Sequence, residues 1–492
     1  MTHDSEKSDP GIVAEKRANK DASVSAELVE RRAGPEGKPG RRATCRAQKR
    51  ASVQQAAERI RAAAKRNPEE RLVALLHHIT VEALVTAFHA LRRDAAAGVD
   101  GVTWEGYAEG LEDRLIDLHA RVHRGAYRAP PSRRVYIPKE DGGQRPLGIA
   151  ALEDKILQRA VTDTILVPIY ETEFLGFSYG FRPGRGAHRA LDAVAVGVER
   201  RKVGWVLDAD IRGFFDNLDR SWAIRFLEHR IGDKRVIRLI TKWLGAGVME
   251  GTDWSDTGKG TPQGGIVSPV IANVYLHYVL DLWVHKKWRK RSAGGDMIFV
   301  RYADDYVAGF QHKRDAERFL ADLKERLGQY QLQLHPDKPR LIEFGRFARA
   351  NRASGGRGRP ETFDFLGMTH YCDQSGKGRF RVGRKPAGKR VRRTLRRIKE
   401  ALRRRWHEDK HDTARWLGRV ISGWLNYYAV PGSFRFLSAF AHQVRRLLLR
   451  GLRRRSQRDR TTWAEVNRLT QRHWPKPRIR HPWPSQRLTV TT

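Results

Sequence analysis

Asp304 and Asp305 stand side by side in Ile298-Phe-Val-Arg-Tyr-Ala-Asp-Asp-Tyr-Val-Ala-Gly-Phe310, two acids between short apolar arms. Two carboxylates about 4 Å apart repel by roughly 4 kcal/mol at an effective dielectric near 20, so a site that keeps both ionised usually holds a cation. Oxygen donors of this hardness suit magnesium or manganese. The arms are rich in β-branched and aromatic residues, which predicts a hairpin with the acids in its turn. A solvated Asp-Asp turn is the plain alternative. Upstream, Trp205-Val-Leu-Asp-Ala-Asp-Ile211 is a second apolar run carrying acids, followed by Arg212-Gly-Phe-Phe-Asp-Asn-Leu218, where Gly213 and Asn217 mark a turn into a helix. Period-two alternation puts Val206, Asp208 and Asp210 on one face, so spacing leaves open which of these acids supplies a third carboxylate.

Other segments offer groups suited to a phosphorylated substrate. Val135 to Ile149 reads as two strands joined by Asp141-Gly-Gly143, with Lys139 and Arg145 flanking the turn. An Arg fork and a Lys point charge placed there can clamp a triphosphate, although a basic hairpin can also be a solvated edge. Gly260-Thr-Pro-Gln-Gly-Gly-Ile-Val-Ser-Pro269 opens a predicted helix from Val270 to Trp283, and its glycines let backbone near Gln263 approach a ligand closely. Ser178 to Gly186 interleaves Arg182 and Arg185 with aromatic residues, a composition suited to a nucleic-acid backbone and to base stacking.

The surrounding elements are helical at both ends. Apolar spacing predicts helices over 52–64, 68–91 and 152–170, the second including Leu72, Leu75, Leu76 and Ile79. Beyond about residue 380, three amphipathic helices follow. The first carries Val391, Leu395, Ile398 and Leu402 on one stripe, coated by Arg392, Arg393, Arg396, Arg397, Arg403, Arg404 and Arg405. The tail from 456 mixes cations with Trp463, Trp474, Trp483 and prolines, consistent with DNA or RNA contact. With 95 Lys plus Arg against 56 Asp plus Glu, a formal charge of +39 calls for an anionic partner. Cys45 and Cys372 make neither a disulfide framework nor a zinc cluster, and an apolar run long enough for a membrane is lacking, so a cytoplasmic chain, nucleoid-associated when acting on DNA, is expected.

Tyr302-Ala-Asp-Asp305 resembles the catalytic box of reverse transcriptases, and Asp210-Ile-Arg-Gly-Phe-Phe215 resembles their first palm motif. The 135–149 segment resembles the fingers of group II intron reverse transcriptases, and Gly423-Trp-Leu-Asn-Tyr-Tyr-Ala-Val-Pro-Gly432 their maturase region. The resemblance covers roughly residues 70 to 455, with one departure at Ile149-Ala-Ala151, where many relatives have Ile-Pro-Thr. It implies an α+β right-hand polymerase fold with a palm sheet carrying the acids. The implied divisions are a disordered extension (1–50), a helical region (51–130), fingers (131–202), palm (203–375), a thumb or maturase domain X (376–455) and the basic tail (456–492).

The implied catalytic triad is Asp210, Asp304 and Asp305, holding two magnesium ions, with manganese as a possible substitute and Ile211 beside the metal and nucleotide. The implied nucleotide contacts are Lys139, Arg145, Phe215 (which would exclude a 2′-hydroxyl), Gln263 and Lys338. Phe363-Asp-Phe-Leu-Gly-Met368 resembles the hairpin that grips the primer end. The activity implied is an RNA-directed DNA polymerase and intron maturase that binds group II intron RNA, assists its splicing and copies it from deoxynucleoside triphosphates at a primed DNA target. A retron, phage-defence or DNA-repair polymerase, and a splicing-only maturase, are the alternatives. Many relatives continue into an HNH endonuclease domain; without a cysteine cluster before Thr492, a second-strand nuclease is not expected.

Overall fold

The structure is a computed structural model that describes residues 41–138, 143–250, 253–255, 260, 264–336, 339–455 and 459–488. Lys139, Gln263, Lys338 and most of the expected N-terminal extension lie outside the described residues. Strands in chain order are β1 (Ser132–Pro138), β2 (Gln144–Ile149), β3 (Trp205–Ala209), β4 (Val248–Glu250), β5 (Asp253–Ser255), β6 (Met297–Tyr302), β7 (Asp305–Phe310), β8 (Arg340–Glu343), β9 (Phe363–Phe365), β10 (Met368–Gln374) and β11 (Phe380–Pro386). They form three sheets, ordered β2-β1-β4-β5, β6-β7-β3-β8 and β11-β10-β9.

The central sheet positions the acids. β7 pairs antiparallel with β3, Asp208 facing Val307 and Ala209 facing Tyr306, while β6 and β7 close on the pair Tyr302 and Asp305. β6 is buried almost throughout, because helices cover the sheet. One, Ala187–Arg200, approaches β6 through Gly197, where an added Cβ would sit 3.3 Å from Ile298 side-chain carbons. Another, Lys313–Gly328, buries Phe319, Leu323 and Leu327 completely. Fully burying each of those side chains is worth about 1.5–3 kcal/mol. Leu323→Ala is expected to cost roughly 2–5 kcal/mol.

Proline and polar groups shape the helices around this core. The expected helix over 152–170 is continuous but changes pitch, from Leu152–Val161 through a π turn at Thr162–Leu166 into Val167–Tyr170. Pro168 lacks an N–H and crowds the preceding turn, and the wider turn beside it accommodates that. The helix expected from Val270 runs longer, from Ser268–Leu276 through π turns at His277–Asp281 and Val284–Ser292.

The expected helix over 68–91 forms only at Val81–Ala90, capped by Thr80. Upstream of it, Leu72 exchanges backbone bonds with Arg230 and Gly232, and the Asp233 carboxylate accepts the N–H groups of Leu75 and Leu76 at 3.0 Å each. Arg230 donates to the carbonyls of Ala64, Asn67, Pro68 and Glu70. Side chains from a distant loop therefore satisfy backbone groups that a helix would have paired internally.

The C-terminal region contains the three expected helices, Gly388–Arg404, Lys410–Tyr428 and Phe434–Arg453, and adds a fourth, Trp463–His473, within the expected tail. A capping box between Thr462 and Glu465 starts this helix. Gly418 lets it dock, since a Cβ there would lie 2.4 Å from the His473 carbonyl oxygen. The chain then returns across the palm. Arg480 and His481 donate backbone N–H groups to the Ala429 carbonyl, His481 stacks on His188 at 3.9 Å, and Arg487 joins Arg384 on the buried Asp192.

Candidate active site

Asp210 directly follows β3 and is half-buried, and its carbonyl accepts the His335 N–H at 2.8 Å. The antiparallel bridge between Ile211 and Leu334 is carried by that bond and by Arg212 donating to Gln333, so it does not use Ile211's own peptide groups. Across the sheet, Ala303 and Asp304 form the two-residue turn between β6 and β7. Asp304 is half-buried and Asp305, the first residue of β7, is exposed.

The electrostatics bring three separated motifs together. Burial raises the Asp304 carboxyl pKa and the charge of Asp210 raises it further, while Arg145 from β2 and Arg301 from β6 draw it back. Behind the acids, burial pushes the Tyr306 phenol well up, and the charges of Asp210 and Asp208 add to the shift. The Tyr306 hydroxyl has no hydrogen-bond partner among the described residues. Asp210, Asp304 and Asp305 offer carboxylate oxygens, the hard donors that a divalent cation takes. Among the described residues, no three or more His, Cys, Asp or Glu side chains are gathered closely enough to hold a metal ion by themselves.

Of the expected nucleotide contacts, Arg145, Ile211 and Phe215 lie within the described residues. Phe215 is half-buried and meets Phe214 edge-on, with ring centroids 5.4 Å apart. Gly260 seats on that turn: a Cβ there would fall 2.9 Å from the Phe215 carbonyl oxygen. Gly264 seats on the fingers, where a Cβ would fall 2.6 Å from the Gly148 carbonyl oxygen. Gln158, which the sequence reading misses, accepts the N–H groups of Ile266 and Val267 at 2.9 and 3.5 Å and fixes the base of the same loop. Both flanks of the segment carrying Gln263 are thus held by the fingers and the palm.

The nucleic-acid contacts divide. Arg392, Arg396, Arg397, Arg403 and Arg404 are exposed, and Arg393 is half-buried. The expectation for Arg182 is corrected: its buried guanidinium pairs with Glu171 and donates to the Leu175 and Ser178 carbonyls. Arg185 is half-buried over the Tyr179 ring and donates to Gly176, which lowers its availability to a strand. Loop arginines satisfy loop carbonyls as readily as phosphates, and sequence composition does not distinguish the two. The structure adds exposed Arg435, Arg446, Arg450 and Arg453 along the helix Phe434–Arg453. Their helical spacing was readable.

The hairpin resembling the primer grip forms as β9 and β10, with positive φ at Leu366 (+49°) and Gly367 (+75°). Tyr427 from the helix Lys410–Tyr428 donates its hydroxyl to the Leu366 carbonyl at 2.6 Å. Burial, then the neighbouring Tyr428 and Tyr302, push that phenol up to about 12.

This palm, with its acids on one hairpin, defines a reverse transcriptase, and residues 137–370 match the family described as Reverse transcriptase (RNA-dependent DNA polymerase). The enzyme class is therefore RNA-directed DNA polymerase. Residues 391–474, spanning all or part of each of the four C-terminal helices, match Group II intron, maturase-specific domain. The chain belongs to the group II intron reverse transcriptase and maturase family. It is similar to Protein YkfC of Escherichia coli K12, 31% identical over 274 residues that make up 50% of this chain and 71% of YkfC. It is also similar to Group II intron-encoded protein LtrA of Lactococcus lactis, 36% identical over 235 residues, 46% of this chain and 38% of LtrA. A shorter match, 36% over 94 residues, joins 19% of this chain to 12% of Nuclear intron maturase 2, mitochondrial, of Arabidopsis thaliana. Among the described residues, none of the helices is long and apolar enough to cross a membrane.

Proposed function

We propose that this chain copies group II intron RNA into DNA at Asp210, Asp304 and Asp305, primed at a DNA target, and that its helical C-terminal domain binds the same RNA and assists its splicing. The observation carrying this reading is the pairing of β3 with β7, which sets Asp210, just beyond the end of β3, beside the Ala303-Asp304 turn and Asp305 at the start of β7. Bound by these carboxylates, two magnesium ions, or manganese in their place, would supply activation of the primer 3′-hydroxyl and neutralisation of the leaving pyrophosphate.

The chain's own groups do the positioning. Arg145, together with Lys139, forks the triphosphate; Phe215 packs under the sugar and rejects a 2′-hydroxyl; Ile211, Gln263 and Lys338 complete the nucleotide pocket. The exposed arginines of Gly388–Arg404 neutralise RNA phosphates, so affinity falls steeply with salt. Primer extension on an RNA template with deoxynucleotides and magnesium tests the polymerase, run beside Asp304→Ala, Asp305→Ala. Extension by the wild type alone supports the acid assignment, and extension by both overturns it. Splicing of the cognate precursor RNA at low magnesium, with and without protein, tests the maturase role.

A further inference from the structure

The catalytic turn is braced from behind by a buried charge. Arg301, fully buried on β6, directs its Nε and one Nη to the two Asp281 carboxylate oxygens at 2.7 and 2.5 Å. It also donates to the Ser178 hydroxyl at 2.8 Å, to Asn273 Oδ1 at 3.0 Å and to the Ala303 carbonyl at 2.8 Å. A guanidinium has five N–H donors, and each has a named acceptor here. Asn273 passes the constraint on by donating Nδ2 to the Gly180 carbonyl at 2.7 Å. Gly180 in turn lies under the turn so closely that a Cβ on it would come within 2.2 Å of the Ala303 nitrogen. Asn273 and Asp281 lie in the helical run Ser268–Ser292 that follows the nucleotide loop, so one network joins that run, the 178–180 loop and the turn.

Two features argue that this network serves the reaction as well as the fold. A buried ion pair is weak evidence for stability, since packed apolar residues often replace one without loss. Here one donor ends on the peptide that immediately precedes Asp304, and Ala303 holds φ +56°, a conformation that side-chain-bearing residues rarely adopt. Such a turn is kept only where its surroundings over-determine it.

We infer that Arg301, Asn273 and Asp281 are positioning residues that fix the peptide plane of the Ala303-Asp304 turn, and through it the direction in which Asp304 and Asp305 present their carboxylates. This rests on the proposed role of those two acids. Arg301→Lys keeps the charge and loses the planar fork. Asn273→Leu keeps the Arg301–Asp281 pair and removes both the acceptor for Arg301 and the donor to Gly180.

The test uses the full chain in steady-state primer extension, with magnesium titration, RNA affinity and thermal melting measured on the same preparations. Both variants are expected to melt cooperatively, bind RNA as the wild type does, and keep the deoxynucleotide KM. Their kcat should fall on the order of 10²-fold and the magnesium midpoint should rise. Wild-type kcat and magnesium midpoint in folded Asn273→Leu would overturn the inference, as would parallel loss of kcat, RNA affinity and folded fraction. Asp304→Ala, Asp305→Ala run alongside separates the two failures. If that variant still extends, the acid assignment falls and the inference with it; if it is inactive while Asn273→Leu is normal, only the positioning role falls.

Discussion

Two tight turns, one at Ala303-Asp304 and one at Leu366-Gly367, face the same problem and solve it differently. Each places a residue other than glycine at positive φ, Ala303 at +56° and Leu366 at +49°. The second has Gly367 beside it, also positive, the pattern that two-residue hairpins favour. The first is held by a buried charged network that joins the palm to the 178–180 loop. The second is held by two neutral groups from the C-terminal region, the Tyr427 hydroxyl on Leu366 and the Ala387 N–H on Gly367. The contrast teaches that the acids are fixed independently of the helical domain, whereas the hairpin expected to hold the primer takes its position from it.

Removing the fork entirely should separate the turns most. Arg301→Met leaves the Asp281 carboxylate buried without its partner and is expected to cost about 3–5 kcal/mol of stability, measured by denaturant unfolding. Tyr427→Phe removes one hydrogen bond and is expected to cost about 0.5–1.5 kcal/mol. Its kinetic signature should be weaker primer-terminus binding at unchanged kcat, opposite to that of Asn273→Leu; a kcat loss would erase the distinction between the turns.

Acid should also act on the second turn. His188 donates its Nε2–H to the Tyr427 carbonyl, and burial lowers its pKa to about 4. The folded state therefore binds fewer protons than the unfolded chain between about pH 6.5 and 4, so this contribution is present above that window and lost as pH falls through it. Hydrogen exchange at the domain junction should speed up across that range before the palm core responds. The smallest effect is expected from Ala303→Gly, which relieves the strained φ but adds freedom to the unfolded chain, leaving stability within about 1 kcal/mol. Thermal melting checks it.

The first turn was largely legible in the sequence and the second was not. β-branched arms flanking Asp304 and Asp305 specify a hairpin locally, while strand alternation puts Asp208 and Asp210 on one face of their own strand without saying which of them meets it. What holds the turn is non-local: Ser178 lies 123 residues from Arg301 in the chain, and nothing in the composition of either segment announces the contact. The same reason explains Arg182, whose acceptors are carbonyls of a loop conformation that only the folded chain defines. The fourth helix is a different case. Thr462-Trp-Ala-Glu465 is a readable start signal, but the surrounding prolines and cations argue for an open tail, and burial of Val466 and Leu469 decides otherwise. Likewise the apolar spacing of 72–79 is genuine, yet Arg230 and Asp233 recruit that segment into an irregular path.

Anyone diversifying this enzyme by random mutagenesis meets a fixed point at Gly180. Its own φ is unremarkable, so a library designed from backbone angles would leave it open. The space above it is what forbids change: even alanine would force the Ala303 peptide to move. Neighbouring Phe181 is exposed and is limited instead by its own backbone, which holds φ +55°. Two consecutive residues are thus restricted for opposite reasons, Gly180 by the space above it and Phe181 by its own φ, and a library that samples both should recover few β-branched variants at either.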